Sequence, residues 1–389
     1  MPGTSDDLGV YVHMPFCQRV CPYCDFAVEA VGELPVALEK EYVELVLAEL
    51  RLVRQVQAAE LAGRRIATLY LGGGTPSLLA PASVARLVGE VRAAFAGEPA
   101  EVTLELNPGL AESGRARELR AAGVTRVSVG LQALHDDTLR ALGRGHGAAD
   151  ARAGLETCLS AGFASLSADL IYAAPRQSEE MLLRDLHELI AAGVPHVSAY
   201  ALTLEAGTPF AVASAAGKLA LPDEETARRM GRRVRAELKA AGYRQYEISS
   251  FARPGHESRH NTRYWLRQDV LALGPAGASL LGHVRFQNPR SRAAWSARIA
   301  RGELAHEGRE PLDAAEQRRE TLALGFRRIA GVSRSAYRRR FGGLPERDFV
   351  AEIAELEAFE LIQLRDDRWC LTERGILFAD EVFLRFAGR

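Results

Sequence analysis

Three cysteines lie within eight residues near the start of the 389-residue chain. Cys17, Cys21 and Cys24 have the spacing Cys-x3-Cys-x2-Cys, while Cys158 and Cys370 stand alone. Thiolates bind iron strongly, and three of them on one short loop could hold three irons of a cubane cluster. The remaining iron would have no protein thiolate and could bind a small molecule. An odd cysteine count with this spacing also favours a reducing compartment over a disulfide framework.

Zinc and plain buried thiols are the alternatives for this cluster. Structural zinc normally takes four ligands in two pairs, and the sequence offers no second pair. His13 could act as a fourth ligand, so a zinc site stays open, although an iron–sulfur site is favoured. Cys158 and Cys370 are expected to be buried apolar side chains.

Composition excludes several classes of protein. The chain has 47% hydrophobic and 25% charged residues and a net charge of −1, which is typical of a globular protein. A net charge near zero argues against a chain built to bind nucleic acid or anionic lipid. Residues 1–16 contain two aspartates and no lysine or arginine, unlike a signal peptide, and the longest charge-free run carries glycines and prolines. We therefore expect a cytoplasmic protein.

The first half of the chain alternates strands with helices. The strands are predicted at Val10–Met14, Ile66–Leu71, Val102–Leu106, Arg126–Gly130, Ser167–Ile171 and His196–Tyr200. The helices between them are predicted at Val36–Leu61, Ala82–Phe95, Ala111–Ala122, Ala149–Ala161 and Glu179–Ala192. This alternation predicts a parallel sheet with right-handed crossovers, as a complete or partial (β/α) barrel or as a doubly wound open sheet.

Polar residues and glycines follow these strands directly. They are His13, the Gly72-Gly73-Gly74-Thr75 run, Glu105 with Asn107, Gln132 and Asp169. Parallel α/β folds build their sites at the carboxyl ends of the strands. We therefore expect these residues to lie together on one rim, beside the cysteine loop.

The second half has a different pattern. Pro222–Ala241 reads as a long helix, and Phe349–Ile362 as an amphipathic one. Leu364–Leu371 reads as a hairpin, and Thr372–Phe386 as a last helix capped by Thr372. Helices followed by a small hairpin resemble a winged helix. Because no concentrated basic helix reaches the hairpin, we expect this module to pack against the barrel rather than bind nucleic acid.

A family resemblance appears at the cysteine loop. Residues 11–17 read Tyr-Val-His-Met-Pro-Phe-Cys, and with Cys21 and Cys24 they resemble the cluster loop of the radical S-adenosylmethionine (SAM) superfamily. The branch with oxygen-independent coproporphyrinogen III oxidase and the HemW heme chaperones is the most similar. The resemblance implies an α/β fold with a partial (β/α)6 barrel and a C-terminal helical, winged-helix-like domain. It also implies a [4Fe–4S] cluster on the three cysteines, with SAM bound at the open iron.

The resemblance further implies which residues bind SAM and how the chain divides. Gly73, Gly74 and Thr75 belong to a GGGTP motif, which in the family contacts the amino group of SAM. The other implied contacts are Tyr11, Tyr23, Phe26, Glu105, Gln132, Arg144 and Asp169. The predicted domains are a radical SAM barrel over 1–240, an extension over 241–305 and the C-terminal domain over 306–389.

Three features favour the heme chaperones over the oxidase. The oxidase pattern is Cys-x3-Cys-x2-Cys-x-Cys, whereas this sequence has Phe26 at the position of the last cysteine. The oxidase carries a longer segment before its cluster loop, whereas sixteen residues precede Cys17 in this sequence. Residues 260–265 match the chaperones' HNxxYW motif. Binding and transfer of heme, as by a chaperone, is therefore the preferred function. Oxidative decarboxylation of coproporphyrinogen III is the alternative.

The HNxxYW motif supplies suitable groups for heme. His260 and Asn261 begin it, and His260 offers an imidazole for the iron. Tyr264 and Trp265 offer flat apolar surface for the macrocycle. A departure follows, because Ala278 stands where relatives often have histidine, and His283 is the nearest histidine that could replace it.

The resemblance also implies partners. Heme would be passed to recipient hemoproteins, with those of the respiratory chain as candidates, which would require at most a transient visit to a membrane surface. No motif in the sequence identifies an electron donor, and no nucleic-acid partner is expected. A zinc-stabilised nucleic-acid-binding protein is the rival from another class, and metal analysis would separate the two.

Overall fold

Six strand–helix units form the centre of a twelve-stranded sheet in the structure, a computed structural model that describes residues 7–387. The strands are β1 (Asp7–Met14), β2 (Phe16–Cys17), β3 (Glu29–Ala30), β4 (Arg65–Gly73), β5 (Glu101–Leu106), β6 (Arg126–Gln132), β7 (Ser165–Tyr172), β8 (His196–Ala201), β9 (Arg244–Gln245), β10 (Ser250–Ala252), β11 (Val270–Leu273), β12 (Ala278–Leu281), β13 (Val284–Gln287), β14 (Glu307–Pro311), β15 (Val332–Ser333), β16 (Ile362–Arg365) and β17 (Arg368–Leu371).

The helices lie between the strands and in the C-terminal part. They are α1 (Val36–Val56), α2 (Ala58–Leu61), α3 (Pro81–Ala94), α4 (Leu110–Ser113), α5 (Ala116–Ala121), α6 (Asp136–Ala141), α7 (Ala148–Ser160), α8 (Glu179–Ala191), α9 (Pro209–Ala215), α10 (Glu224–Ala240), α11 (Arg259–Trp265), α12 (Arg292–Ala300), α13 (Ala314–Gly325), α14 (Arg334–Phe341), α15 (Pro345–Asp348), α16 (Val350–Ala358), α17 (Glu373–Leu377) and α18 (Ala379–Phe386), with a 3-10 turn at Pro76–Leu78.

The strand order explains why the barrel is partial. The sheet runs β14-β13-β12-β11-β1-β4-β5-β6-β7-β8-β10-β9, and neighbours from β11 through β8 are parallel. β10 and β12 pair antiparallel with their neighbours, so each edge ends in antiparallel strands. The six predicted strands are all present. Because they are parallel, their carboxyl ends share one rim, as expected from the polar residues that follow them.

The central strands have one apolar face and one polar face. In β5, β6 and β7, apolar side chains alternate with polar ones, so one face of the sheet is apolar and packs against helices while the other face lines the barrel interior. Their apolar side chains form one continuous core with the inner faces of the helices. Polar side chains therefore face the barrel interior, where Thr103, Ser167 and His196 line a small cavity.

Several predicted helices are interrupted. The helix predicted over Val36–Leu61 breaks at Gln57, and the one over Ala111–Ala122 divides between Ser113 and Ala116. The predicted Phe349–Ile362 helix ends early because Glu360 adopts φ 57°, which lets Ile362 enter β16. The last predicted helix becomes two because the backbone of Phe378 leaves the helical conformation between them.

The C-terminal part forms its own small core. β15, β17 and β16 make a three-stranded antiparallel sheet, and α13, α16 and α18 bury apolar side chains beside it. Thr372 caps the following helix by accepting from Gly375 N–H at 2.9 Å, as the sequence predicts. The module joins the barrel through Ile248 N–H, which donates to Arg327 O at 3.0 Å, and Ile329 N–H, which donates to Tyr246 O at 3.1 Å. Within residues 7–387, no helix has the length and apolar character needed to cross a bilayer.

Candidate functional site

The three cysteines lie on a loop at the carboxyl end of β1. Their side chains line a cavity of about 330 Å³ that opens at the rim of the barrel. Backbone hydrogen bonds fix the loop: Cys24 N–H donates to Cys21 O at 3.1 Å, and Val31 N–H donates to Cys17 O at 2.9 Å. The loop therefore presents all three thiols to one space.

Polar groups from the barrel reach the thiols. Thr75 Oγ1 lies 3.6 Å from Cys17 Sγ, and Arg144 Nη1 lies 3.4 Å from Cys21 Sγ. Burial raises the pKa of Cys17 to about 11 and raises that of Cys24. In residues 7–387, no three His, Cys, Asp or Glu side chains converge closely enough to hold a single ion. Three thiols that line one cavity fit a cluster in which each thiolate binds a different iron.

His13 does not take part in this thiol group. Its Nε2 lies 3.1 Å from Ala27 O and its Nδ1 lies 3.0 Å from Tyr11 Oη, so both ring nitrogens are hydrogen-bonded. Burial lowers the pKa of His13. The side chain does not line the cavity, so the structure does not provide the fourth zinc ligand that the sequence left open.

The glycine run makes room for the cysteine loop. A Cβ on Gly74 would lie 2.5 Å from Phe16 O and 3.0 Å from Cys17 Sγ, and one on Gly73 would lie 2.7 Å from the His13 ring. Gly73 also has φ 108°, which side chains rarely adopt. Only glycine fits at these two positions, and their backbone faces the cavity.

Nine of the ten residues predicted to bind SAM line the same cavity as the thiols. They are Tyr23, Phe26, Gly73, Gly74, Thr75, Glu105, Gln132, Arg144 and Asp169. Tyr11 is the exception, because its hydroxyl is held by the His13 ring and its own ring packs 6.0 Å from that of Tyr70. The structure therefore places Tyr11 in the barrel interior rather than in the cavity wall.

Asn107 connects two of these residues and was absent from the predicted set. Its Nδ2 donates to Thr75 Oγ1 at 3.2 Å, and its Oδ1 accepts from Arg144 Nη2 at 2.7 Å. The sequence had placed Asn107 on the rim with Glu105, two residues earlier, but not among the SAM contacts. His146 and Tyr200 also line the cavity, and nothing in their sequence context indicated it.

Two half-buried carboxylates form the floor of the cavity. Glu105 accepts from Tyr70 Oη at 2.7 Å and from Gly73 N–H at 3.0 Å, and burial raises its pKa to about 7. Asp169 accepts from Ser128 Oγ at 2.8 Å and from Ser167 Oγ at 2.9 Å, and burial raises its pKa as well. Both carboxylates keep unused lone pairs for N–H or O–H donors of a ligand.

Gln132 carries backbone strain at the same rim. It has φ 67°, and the pairing of β6 with β7 shifts between Val129 and Gln132. Such conformations are costly for residues other than glycine and concentrate at binding sites. The irregularity turns the Gln132 side chain toward the cavity rather than along the sheet.

The HNxxYW motif lies at the opposite end of the barrel. It forms α11, whose first two N–H groups, those of Arg259 and His260, donate to Glu101 at 3.0 Å each. Arg263 Nη2 donates to the carbonyl of Asp7 at 2.7 Å. Glu101 and Asp7 are the first residues of β5 and β1, so α11 closes the amino-terminal end, away from the cysteines.

His260 is fully buried beneath this helix. Its Nδ1 lies 2.8 Å from Thr68 Oγ1 and its Nε2 lies 3.1 Å from Tyr264 Oη. Burial lowers its pKa to about 3, so the ring is neutral near pH 7. Because both nitrogens are hydrogen-bonded, a heme iron could reach His260 only if α11 moved.

The other motif residues surround the helix. Asn261 lines a second, smaller cavity of about 50 Å³ inside the barrel. The guanidinium of Arg327, from the C-terminal module, lies over the indole of Trp265, 4.4 Å from the ring centroid. Ala278 is the first residue of β12, whereas His283 lies in the turn beyond its other end, so the two side chains are not neighbours.

Comparisons with known proteins agree with this geometry. The family profile of the radical SAM superfamily matches residues 11–212, and that of the HemN C-terminal domain matches residues 312–378. The chain is similar to the heme chaperone HemW of Mycobacterium tuberculosis, with 36% identity over 389 residues covering 100% of this chain and 96% of the relative. It is also similar to the heme chaperone HemW of Escherichia coli, with 33% identity covering 97% of this chain and 98% of the relative.

Among solved structures, coproporphyrinogen III oxidase (HemN) from Escherichia coli has the same fold. Its TM-score is 0.82 at 23% identity, covering 98% of this chain and 90% of that chain. The predicted α/β fold, with a radical SAM barrel and a C-terminal helical region, is thus confirmed. The chain belongs to the radical SAM superfamily and, within it, to the family of the HemW heme chaperones.

Proposed function

We propose that the protein binds heme and transfers it to hemoproteins, using a [4Fe–4S] cluster and SAM. The observation that carries the cofactor part is the shared cavity, which brings three thiols together with nine of the ten predicted SAM residues. The heme part rests on the two full-length relatives named heme chaperone HemW. The HNxxYW motif supports it from the sequence.

The residues present suit a cluster with bound SAM. Cys17, Cys21 and Cys24 would ligate three irons, and the cluster would supply an electron to a ligand on the fourth. Arg144 and Asn107 offer donors for a carboxylate, and Glu105 offers an acceptor for an amine. Asp169 offers acceptors for ribose hydroxyls, while Tyr23 and Phe26 border the same space.

Anaerobic reconstitution tests the cluster. We expect about four irons per chain in the wild type and a large loss on replacing Cys17, Cys21 or Cys24 with alanine. Cys158→Ala is the matched control, because Cys158 is a buried thiol on α7 outside the cavity. Zinc in place of iron, or equal iron in all four variants, would contradict the proposal.

Heme titration tests the cargo. We expect wild-type protein to bind heme, and His260→Ala to alter the heme absorption spectrum if α11 opens to expose the imidazole. Because His260 is buried, His260→Gln, which can keep hydrogen bonds to Thr68 and Tyr264, guards against simple unfolding. A spectrum and affinity unchanged in both variants would remove His260 as an iron ligand.

Transfer is tested with an apo-hemoprotein as acceptor. Heme should leave the loaded protein for the acceptor faster than it dissociates into buffer. Respiratory hemoproteins are the proposed recipients, reached by a transient visit to the membrane surface. Conversion of coproporphyrinogen III to protoporphyrinogen IX by the reconstituted protein would instead establish the oxidase.

A further inference from the structure

Tyr70 stands between the cavity and the buried heme motif. It lies on β4, and its hydroxyl donates to Glu105 Oε1 at 2.7 Å. Its ring centroid lies 5.1 Å from that of His260, with the planes tilted by 36°. One side chain therefore contacts a carboxylate on the cavity floor and the imidazole beneath α11.

The Glu105 end of this contact is open to a ligand. Glu105 lines the large cavity, and its second oxygen accepts from Gly73 N–H at 3.0 Å. A ligand N–H that binds this carboxylate would hold it in the orientation that Tyr70 requires. Within the described part of the chain, Glu105 is held by the hydrogen bonds from Tyr70 and Gly73, so a ligand bond would add to its restraint.

The His260 end is closed by packing. The rings of Tyr70 and Tyr11 lie on His260, and its nitrogens are held by Thr68 and Tyr264. Displacing the Tyr70 ring would remove part of this cover. A single aromatic side chain therefore contacts both ends.

A second line of hydrogen bonds runs in parallel. Asp169 accepts from Ser167, whose Oγ lies 2.7 Å from His196 Nδ1, and His196 Nε2 lies 2.9 Å from Tyr246 Oη. Tyr246 Oη accepts from Ser258 N–H at 3.2 Å, at the residue that caps α11. Both carboxylates on the cavity floor are thus connected to α11. The small cavity lies between the two lines, and Tyr70 lines it.

We propose that Tyr70 is a positioning residue that couples occupancy of the large cavity to the burial of His260. SAM bound at Glu105 keeps the Tyr70 ring over the imidazole and holds α11 closed, and loss of SAM loosens it. Because coupling between two sites is reciprocal, opening α11 weakens SAM binding by the same factor. The inference rests on the proposed function, since it takes SAM as the occupant of the cavity.

Hydrogen exchange tests this coupling. Amides of residues 259–265 would be followed by mass spectrometry in cluster-reconstituted protein, with and without saturating SAM. We expect SAM to slow their exchange by about fivefold or more in the wild type, a usual size for coupled sites. In Tyr70→Phe the ring remains but the hydroxyl is gone, and we expect the slowing to fall to about twofold or less, carried by the Asp169 line.

Tyr337→Phe is the matched control. Tyr337 donates to Asp348 at 2.8 Å, also a tyrosine–carboxylate bond, but in the C-terminal module. This variant should keep the full SAM effect. Equal slowing in wild type and Tyr70→Phe would overturn the inference, as would a wild type that binds SAM in equilibrium dialysis without slower exchange, a result that needs no variant. Failure of the wild type to bind SAM would overturn the proposed function itself.

Discussion

Asn107 shows how one amide can organise a binding site. It donates to Thr75 in the glycine turn and accepts from Arg144. It therefore fixes the spacing between two groups that face the cavity. Arg144 also reaches Cys21, which extends the arrangement to the cysteine loop. Groups held in place before a ligand arrives bind it at lower entropic cost.

Removing this amide should weaken SAM binding. We expect Asn107→Ala to lower SAM affinity about tenfold, because Arg144 loses a charge-assisted hydrogen bond and Thr75 loses its orientation. Asn107→Asp keeps the acceptor for Arg144 and should recover part of the loss. Isothermal titration of the reconstituted protein measures both, and equal affinity in all three proteins would contradict the role.

His260 makes a second residue-scale prediction, for stability against pH. Its pKa is about 3 in the folded state and near 6.5 when exposed, so acid protonates the unfolded chain first. The contribution of the neutral His260 ring to the unfolding free energy is therefore complete above pH 6.5 and is lost as pH falls. Relative to His260→Gln, we expect the wild type to lose about 2 kcal/mol of unfolding free energy from pH 7 to pH 5.

Urea unfolding at the two pH values measures this difference. His187→Gln is the control, since the His187 side chain is 57% exposed and pairs only with Glu237 in the described part of the chain. Between pH 7 and pH 5, the difference in unfolding free energy between the wild type and His187→Gln should change much less than the difference between the wild type and His260→Gln. Parallel pH profiles for wild type and His260→Gln would show that the imidazole is not kept neutral by the fold.

At the scale of elements, α11 depends on its partners. It has seven residues, too few to be stable alone. Ser258 caps it by accepting from Asn261 N–H at 3.2 Å, and Glu101 accepts from the N–H groups of Arg259 and His260. Negative charge at the amino end of a helix is favourable. The strand β5 therefore holds the helix that carries the heme motif.

Glu101→Gln should loosen this helix. An amide can accept only one of the two N–H groups without turning its own NH₂ toward the other, so we expect a loss of about 1–3 kcal/mol in unfolding free energy. Exchange of the α11 amides should quicken as well. Glu98→Gln, at an exposed surface pair, is the control and should change neither quantity by more than about 0.5 kcal/mol. An effect of equal size in both variants would contradict the role.

At the scale of the molecule, buried polar contacts join the barrel to the C-terminal module. The Arg267 side chain is fully buried, and its Nε donates to Glu320 on α13 at 2.5 Å. Glu320 also pairs with Arg285 at 3.0 Å. With the backbone pairing of Ile248 and Ile329, these contacts make the module part of the wall behind α11.

Arg267→Met should destabilise this junction. The apolar chain fills much of the space, but Glu320 loses its buried partner and, in the described part of the chain, keeps only Arg285. We expect a loss of about 1–3 kcal/mol, less than for a fully orphaned buried charge. Urea unfolding would measure this loss of free energy. Limited proteolysis would report it as cleavage between the barrel and residue 312. Arg301→Met, at an exposed pair with Glu303, should be nearly neutral, and a similar loss in both would contradict the interpretation.

Local sequence was enough for the cluster loop, the glycine turn and the strand–helix order. Thiol spacing, glycine and hydrophobic period are properties of short segments, so they predict the six strands and the polar residues at their carboxyl ends. The family resemblance supplied the ten SAM residues, nine of which line the cavity. The structure departs from these patterns where tertiary contacts decide. Tyr11 turned inward because the His13 ring accepts its hydroxyl, and the predicted helices broke at Gln57, Glu360 and Phe378.

The tertiary structure alone decided the relation between the two motifs. In the sequence the HNxxYW motif looks like an accessible set of heme ligands, but α11 is folded under the amino ends of β1 and β5, and His260 is enclosed there. That position depends on contacts with residues nearly 160 and more than 250 positions away, such as Glu101 and Asp7. No local pattern encodes such distant contacts, and so the sequence determined the chemistry of each site, while the fold decided that Tyr70 stands between them.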